Sequence, residues 1–292
     1  MKKMTAWLVA LLMAAACISA LAECPKIDRA DYPKVDGSTA TLPLSYLLMQ
    51  TATGVNEEEA RVAIHHSKTT ESFYELIYGN ADLLLVYEPS DDAWQMADEQ
   101  KVKLEYAPIG LDAPVFLINE DNPVESLTRQ EIVDLYAGKI TNWKEVGGAD
   151  QPIIAYQRIE NSGSQVMVEA QVMQGVPMME APTELRPAEM GELIDVIASY
   201  RNTADSIGYS VYYYVHNMYM QEGIKLLKID GVMPTNETIA NGDYPYRQAF
   251  YAVIRADEPE DSPARRLYDW LMTEEAAALV SEAGYVPAFA AD

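Results

Sequence analysis

Residues 82–87 read Asp-Leu-Leu-Leu-Val-Tyr. A strand with one solvated face alternates apolar and polar side chains, whereas a strand covered on both faces is apolar throughout. The run therefore predicts a buried strand with helices packed on either side, the layering of an α/β domain. Working outward, shorter apolar runs read as strands at 61–65, 102–106, 115–119, 152–157, 207–211, 224–229 and 250–255. Helical segments lie between them. Thr128 and Glu131 form a capping box ahead of Ile132, Val133 and Leu135, with Gly138 placed to end the helix. Ser162 and Gln165 form a second box ahead of Val166, Met167, Ala170 and Met173, and residues 263–270 and 274–284 read as two further helices. No Gly/Ser-rich linker divides the chain. Any domain boundary is therefore crossed by compact strand-like segments, which suggests a hinge.

The chain has 292 residues, 49% hydrophobic and 23% charged. That length suits about two domains and excludes both a disulfide-stapled miniprotein and global disorder. Its 45 acidic and 21 basic residues give a net charge of -24. Such a surface repels phosphodiester backbones, so no nucleic-acid partner is expected. Lys2 and Lys3, the apolar run from Trp7 to Ala16, and the small residues Ala20 and Ala22 read as an export leader over residues 1–22. The apolar run is too short to span a bilayer comfortably. Ala15, Ala16 and Cys17 also resemble a loose bacterial lipobox, so lipid anchoring at Cys17 and free secretion both stay open. Either route leaves Cys24 as the one unmodified cysteine, without a disulfide or a thiolate metal site. The three histidines are His65, His66 and His216, and the sequence holds no G-x-S-x-G elbow, H-E-x-x-H or Walker loop. Metal-dependent or histidine-based hydrolysis has little to draw on, and no cofactor is expected.

The segment Arg158-Ile159-Glu160-Asn161-Ser162-Gly163-Ser164-Gln165 stands out. It places an arginine at a strand end, then a polar turn, then a helix start. The first N–H groups of a helix lack internal partners and carry positive potential, so they attract anions. Ser162 and Ser164 add hydroxyls, Gly163 allows close backbone approach, and Arg158 offers a planar fork matched to an oxyanion. The alternative is that Ser162 only caps the helix while Arg158 pairs with a carboxylate such as Glu160. Two other turns are similar: Asp36 to Pro43, ahead of the apolar run 44–49, and Ser67-Lys68-Thr69-Thr70, ahead of Phe73, Leu76 and Ile77. Each alone reads as an ordinary N-cap. Three such turns in one chain point to convergence.

The order of these motifs resembles the substrate-binding protein of bacterial phosphate-specific ABC transporters, from about Lys34 to the C-terminus. The most specific stretches are Asn122-Pro123-Val124 through Leu127-Thr128, then Ile132 to Trp143 with Gly147 and Gly148, then Arg158 to Ser164. Ile229 to Pro234 and Tyr244-Pro245 follow. The resemblance implies an α/β, two-lobed, periplasmic-binding-protein-like (type II) fold with two crossing hinge strands. The first lobe would comprise 34–111 plus 247–292, and the second 112–246. It also implies a ligand set made of the Thr41 hydroxyl, the Leu42 N–H, Thr69 with Thr70, and Arg158, Ser162, Gly163 and Ser164, the last standing where the family has threonine. Family members carry an aspartate just after the strand at 82–86, where it accepts a proton from the ligand. Tyr87 stands there in this chain. A hydroxyl can donate to a fully ionised anion, so that filter is absent and the choice of oxyanion stays open. The implied protein is an exported, monomeric, non-enzymatic receptor for inorganic phosphate or a related tetrahedral oxyanion that serves an ABC permease. Alternatives are a receptor for another anion, a surface sensing or interaction protein of the same fold and, more remotely, a secreted phosphatase.

Overall fold

The computed structural model describes residues 23–181, 185–198 and 204–288. The leader and Cys17 lie outside them. Two sheets organise the chain. The first has five strands in the order β1-β2-β10-β3-β11, comprising β1 Val35–Gly37, β2 Leu83–Val86, β10 Gln248–Arg255, β3 Leu104–Asp112 and β11 Val286–Pro287. The second has four, in the order β6-β7-β4-β8, comprising β6 Ile154–Ala155, β7 Ser206–Val211, β4 Pro114–Asn119 and β8 Ile224–Leu226. A short parallel pair, β5 Ser126–Leu127 with β9 Lys228–Ile229, flanks the second sheet. The result is a mixed α/β, two-lobed, periplasmic-binding-protein-like fold.

The run at 82–87 behaves as its composition requires. All four residues of β2 are fully buried, with Leu83 and Leu85 in the main core and Leu84 and Val86 in a second cluster beside Phe73, Leu76 and Val253. Both faces are therefore covered. The helix Arg129–Tyr136 starts on the expected box, with Thr128 accepting from the Glu131 N–H and Glu131 closing back on the Thr128 N–H.

Three local readings change. Residues 61–65 form no strand, because Asn56 and Glu59 make a capping box that starts the helix Glu57–Ala63. The Arg61–Glu57 pair, one turn apart, supports that helix. Of the 152–157 run, only Ile154 and Ala155 pair with β7. At Ser162 only half a box forms: the hydroxyl accepts from the Gln165 N–H, while the Gln165 carboxamide turns away into the lobe.

The chain passes directly from the first sheet to the second between Asp112 and Pro114, and re-enters the first at Gln248, the start of β10. The two crossings lie side by side, since Asp112 pairs with Gln248. Asp112 joins both sides. One carboxylate oxygen accepts from the Tyr87 hydroxyl at 2.6 Å, and the other accepts from the N–H groups of Ala113 at 2.8 Å and Tyr213 at 3.1 Å. Burial pushes this carboxyl up to about 6, against the opposing pull of those hydrogen bonds. Among the described residues no helix is long and apolar enough to cross a membrane.

Candidate functional site

The cleft between the sheets encloses a cavity of about 60 Å³, well above the roughly 10–15 Å³ that one water molecule needs. Ser38, Thr39, Lys68, Thr69 and Tyr87 line it from the first lobe, and Arg158, Ser162, Gly163, Ser164 and Glu189 from the second. The first-lobe loops are tied together by Asp36. Its Oδ1 accepts from the N–H of Gly37, at the end of β1, and from that of Ser67, both at 2.6 Å. His66 braces the same corner, its Nδ1–H donating to the Ser38 carbonyl at 2.7 Å. Burial pulls the His66 pKa below its ordinary value, against the opposing pull of the Ser38 hydrogen bond and of Asp36. Gly37 is needed because a Cβ there would run into the Leu85 carbonyl.

The hydroxyls then meet. Ser38 Oγ lies 2.8 Å from Thr69 Oγ1 and accepts from the Tyr87 N–H at 3.2 Å. Thr69 opens the helix Thr69–Ile77, whose first N–H groups have no partner within the helix. Lys68, just before it, has φ 79° and ψ 174°, a region that is almost glycine-only and costs about 1–3 kcal/mol for other residues. From the second lobe, Ser162 caps the helix Gly163–Val168. A Cβ at Gly163 would fall within contact distance of Thr69 Oγ1, so the lobes meet here backbone to side chain. Further interlobe contacts surround this point: the Thr70 hydroxyl donates to the Asn161 carbonyl at 2.9 Å, and Lys68 pairs with Glu189 at 2.6 Å.

Arg158 supplies the charge. It is only 5% exposed. Its Nε donates to the Pro187 carbonyl at 3.1 Å, one terminal nitrogen to the Ala188 carbonyl at 2.8 Å, and the other to Ser164 Oγ at 3.3 Å. All three acceptors are neutral. Among the described residues no carboxylate forms an ion pair with it. Burial accordingly pulls its pKa below the ordinary arginine value, opposed through space by Tyr209 and by Glu189 and Glu192. The pairing of Arg158 with Glu160 left open by the sequence does not occur.

The model of the PBP superfamily domain matches residues 25–275. The chain belongs to that family. It is 28% identical over 210 residues to the phosphate-binding protein PstS of Bacillus subtilis, an alignment covering 72% of this chain and 63%, less than two thirds, of that protein. The PstS of Staphylococcus epidermidis is 24% identical over 266 residues, covering 87% of this chain and 78% of that one. Among solved structures, an ABC-type phosphate transport receptor from Vibrio cholerae superposes with a TM-score of 0.63 at 23% identity, covering 86% of this chain and 98% of that one.

Of the residues singled out from the sequence, Thr69, Tyr87, Arg158, Ser162, Gly163 and Ser164 line the cavity of this family member. Thr70 sits one step back, its hydroxyl turned to Asn161. Thr41 and Leu42 do not reach the cleft. The Thr41 hydroxyl donates to the carbonyls of Ser38 and Leu85, and the Leu42 N–H donates to Thr39. A 3-10 turn, Thr39–Thr41, intervenes between strand and helix, so the cleft-facing hydroxyls come from Ser38 and Thr39, directly after Gly37. That Gly-Ser-Thr step, mirrored by Ser-Gly-Ser at 162–164, was the available signal. Tyr87 also differs from expectation. Its hydroxyl proton is committed to Asp112, so the phenol oxygen is left as an acceptor rather than a donor. Among the described residues no group of three or more His, Cys, Asp or Glu is placed to hold a metal ion.

Proposed function

We propose that this chain is an exported receptor that captures phosphate or a related tetrahedral oxyanion between its lobes and delivers it to an ABC permease. The observation that carries this reading is the buried guanidinium of Arg158, whose hydrogen-bond partners among the described residues are all neutral. A buried charge without a counter-ion costs several kcal/mol, and an anion in the adjoining cavity removes that cost. Ser38, Thr39, Thr69, Ser162 and Ser164, with the N–H groups at the two helix starts, supply the remaining donors. Charge-assisted hydrogen bonds are worth roughly 1.5–3 kcal/mol each. Five or six of them, less ordering and desolvation, support binding near 8 kcal/mol, which is micromolar. The names of the relatives favour phosphate within this class. The acceptor character of Tyr87 points the same way, because a protonated oxyanion can donate to it and sulfate cannot.

The test is calorimetric titration with phosphate, arsenate, sulfate and molybdate, on the wild type and on Arg158→Ala. Phosphate should bind the wild type and lose at least tenfold in affinity in the variant, with the melting temperature of the ligand-free protein kept. Equal affinity in the two proteins would remove the assignment.

A further inference from the structure

We propose that Tyr209, acting with Gln165, is a positioning residue that fixes where the Arg158 guanidinium lies and so governs anion affinity without touching the cavity. The affinity part rests on the reading of Arg158 given above. Tyr209 is fully buried in the middle of β7, opposite Phe116 on β4. Its hydroxyl accepts the main-chain N–H of Arg158 at 3.0 Å and donates to Gln165 Oε1 in a short hydrogen bond. The same Oε1 accepts the Arg158 N–H at 3.1 Å. Three residues from a strand, a loop and a helix thus close a ring of hydrogen bonds around one amide.

The ring has a defined sense. The Gln165 Nε2 donates to Glu169 at 2.6 Å, which turns the carboxamide so that its oxygen faces Arg158. Glu169 itself opens the π-helical turn Glu169–Met173, one residue wider than an α-turn. With the backbone of residue 158 held, the side chain leaves in a fixed direction and meets the carbonyls of Pro187 and Ala188. Tyr209 lies outside the cavity lining, so any effect on the ligand passes through Arg158. Binding groups must be held to within about half an ångström of the productive geometry, and supporting hydrogen bonds of this kind hold them. Tyr136 and Phe116 pack edge-on against the Tyr209 ring at 5.3 and 6.5 Å. Tyr209→Phe therefore keeps the packing and deletes only the hydroxyl.

The experiment compares wild type with Tyr209→Phe in two measurements. One is titration with inorganic phosphate. The other is hydrogen exchange of the Arg158 Nε–H, followed by NMR in the ligand-free protein, with the amides of β4 as an internal control. The expected result is at least a fivefold loss of affinity together with at least tenfold faster Nε–H exchange, while the β4 amides stay within twofold. Unchanged Nε–H exchange overturns the positioning role, as does equal acceleration in β4. Faster Nε–H exchange with unchanged phosphate affinity overturns its bearing on binding. A wild type that binds no phosphate, in a pair whose Nε–H exchange still differs tenfold, overturns the anion reading and leaves the positioning supported. Should Tyr209→Phe not fold, Gln165→Met removes the other acceptor and is read in the same way.

Discussion

Gly163→Ala separates closure from folding. The glycine opens the helix Gly163–Val168 in the second lobe, and the three atoms nearest to a Cβ placed there all belong to Thr69 in the first. A methyl group there overlaps Thr69 Oγ1, which cannot swing freely because it is bonded to Ser38 at 2.8 Å. Overpacking a fitted contact costs about 1–3 kcal/mol. That cost falls on the closed form alone, since the lobes part when the cleft opens. The apparent dissociation constant rises as the binding-competent fraction falls, so phosphate affinity should drop by about 5- to 150-fold. Meanwhile alanine is the better helix former by about 0.5–1 kcal/mol, and the glycine's φ is not in the left-handed region. The ligand-free protein should therefore melt at the same temperature or slightly higher. Calorimetric titration and thermal unfolding on the same preparation read both quantities. Wild-type affinity in the variant would refute the claim that the lobes close on this contact, and a parallel loss of stability would show that the methyl disturbs the second lobe itself.

Two further outcomes follow from the site's supports. Asp112 has its carboxyl raised by burial from 3.8 to about 6. A raised folded-state value means that the neutral form is favoured on folding, so this stability is fully present below 3.8 and lost as pH rises through 6; about two pKa units correspond to about 3 kcal/mol. Urea unfolding of wild type against Asp112→Asn between pH 4 and pH 7 should show the wild type losing most of that amount, about 2 kcal/mol, relative to the variant, and a pH-independent difference would contradict it. Thr41→Val, which strips a buried hydroxyl from the Ser38 and Leu85 carbonyls, should cost about 1–2 kcal/mol of stability and leave phosphate affinity within twofold, whereas Ser38→Ala should weaken binding at least fivefold. The reverse pattern would restore Thr41 to the ligand set.

What the sequence made legible was whatever is written locally. The β2 run declares two covered faces by composition, and Thr128 with Glu131 declares a helix start by spacing. The loop from Arg158 to Ser164 carries its chemistry within seven residues. The errors arose where a local signal was outvoted. The Val62-Ala63-Ile64 run looks strand-like, but the box at Asn56 and Glu59 had already committed the chain to helix. β3 extends past Tyr106 to Asp112 despite Pro108, because Pro108 sits opposite the bulge at Phe250/Tyr251 where the ladder is broken anyway. The supports of the site were hidden for a different reason. Tyr87 and Asp112 are 25 positions apart, and Arg158 and Tyr209 are 51 apart, and no periodicity in one sequence links such pairs.

The Arg158 guanidinium, without an ion pair among the described residues, also bears on when the lobes close. Were the lobes to part, the cavity side of Arg158 would gain access to water while its bonds to Pro187, Ala188 and Ser164 stayed within the second lobe. In the closed cleft its partners among the described residues are two carbonyls and one hydroxyl, all neutral, and a buried charge without an anion is unfavourable by several kcal/mol. Closure without ligand is thus opposed by the same group that favours closure with it, so under the proposed function a permease that reads the closed shape would meet the loaded form alone. Arg158→Met keeps most of the side-chain volume and removes the charge. If the charge is what holds the empty cleft open, this variant should show a smaller radius of gyration by small-angle X-ray scattering than ligand-free wild type, and phosphate should no longer change it. If ligand-free wild type and Arg158→Met scatter alike, closure is governed by the hinge at Asp112 and by contacts such as Lys68 with Glu189, and Arg158 contributes to affinity alone.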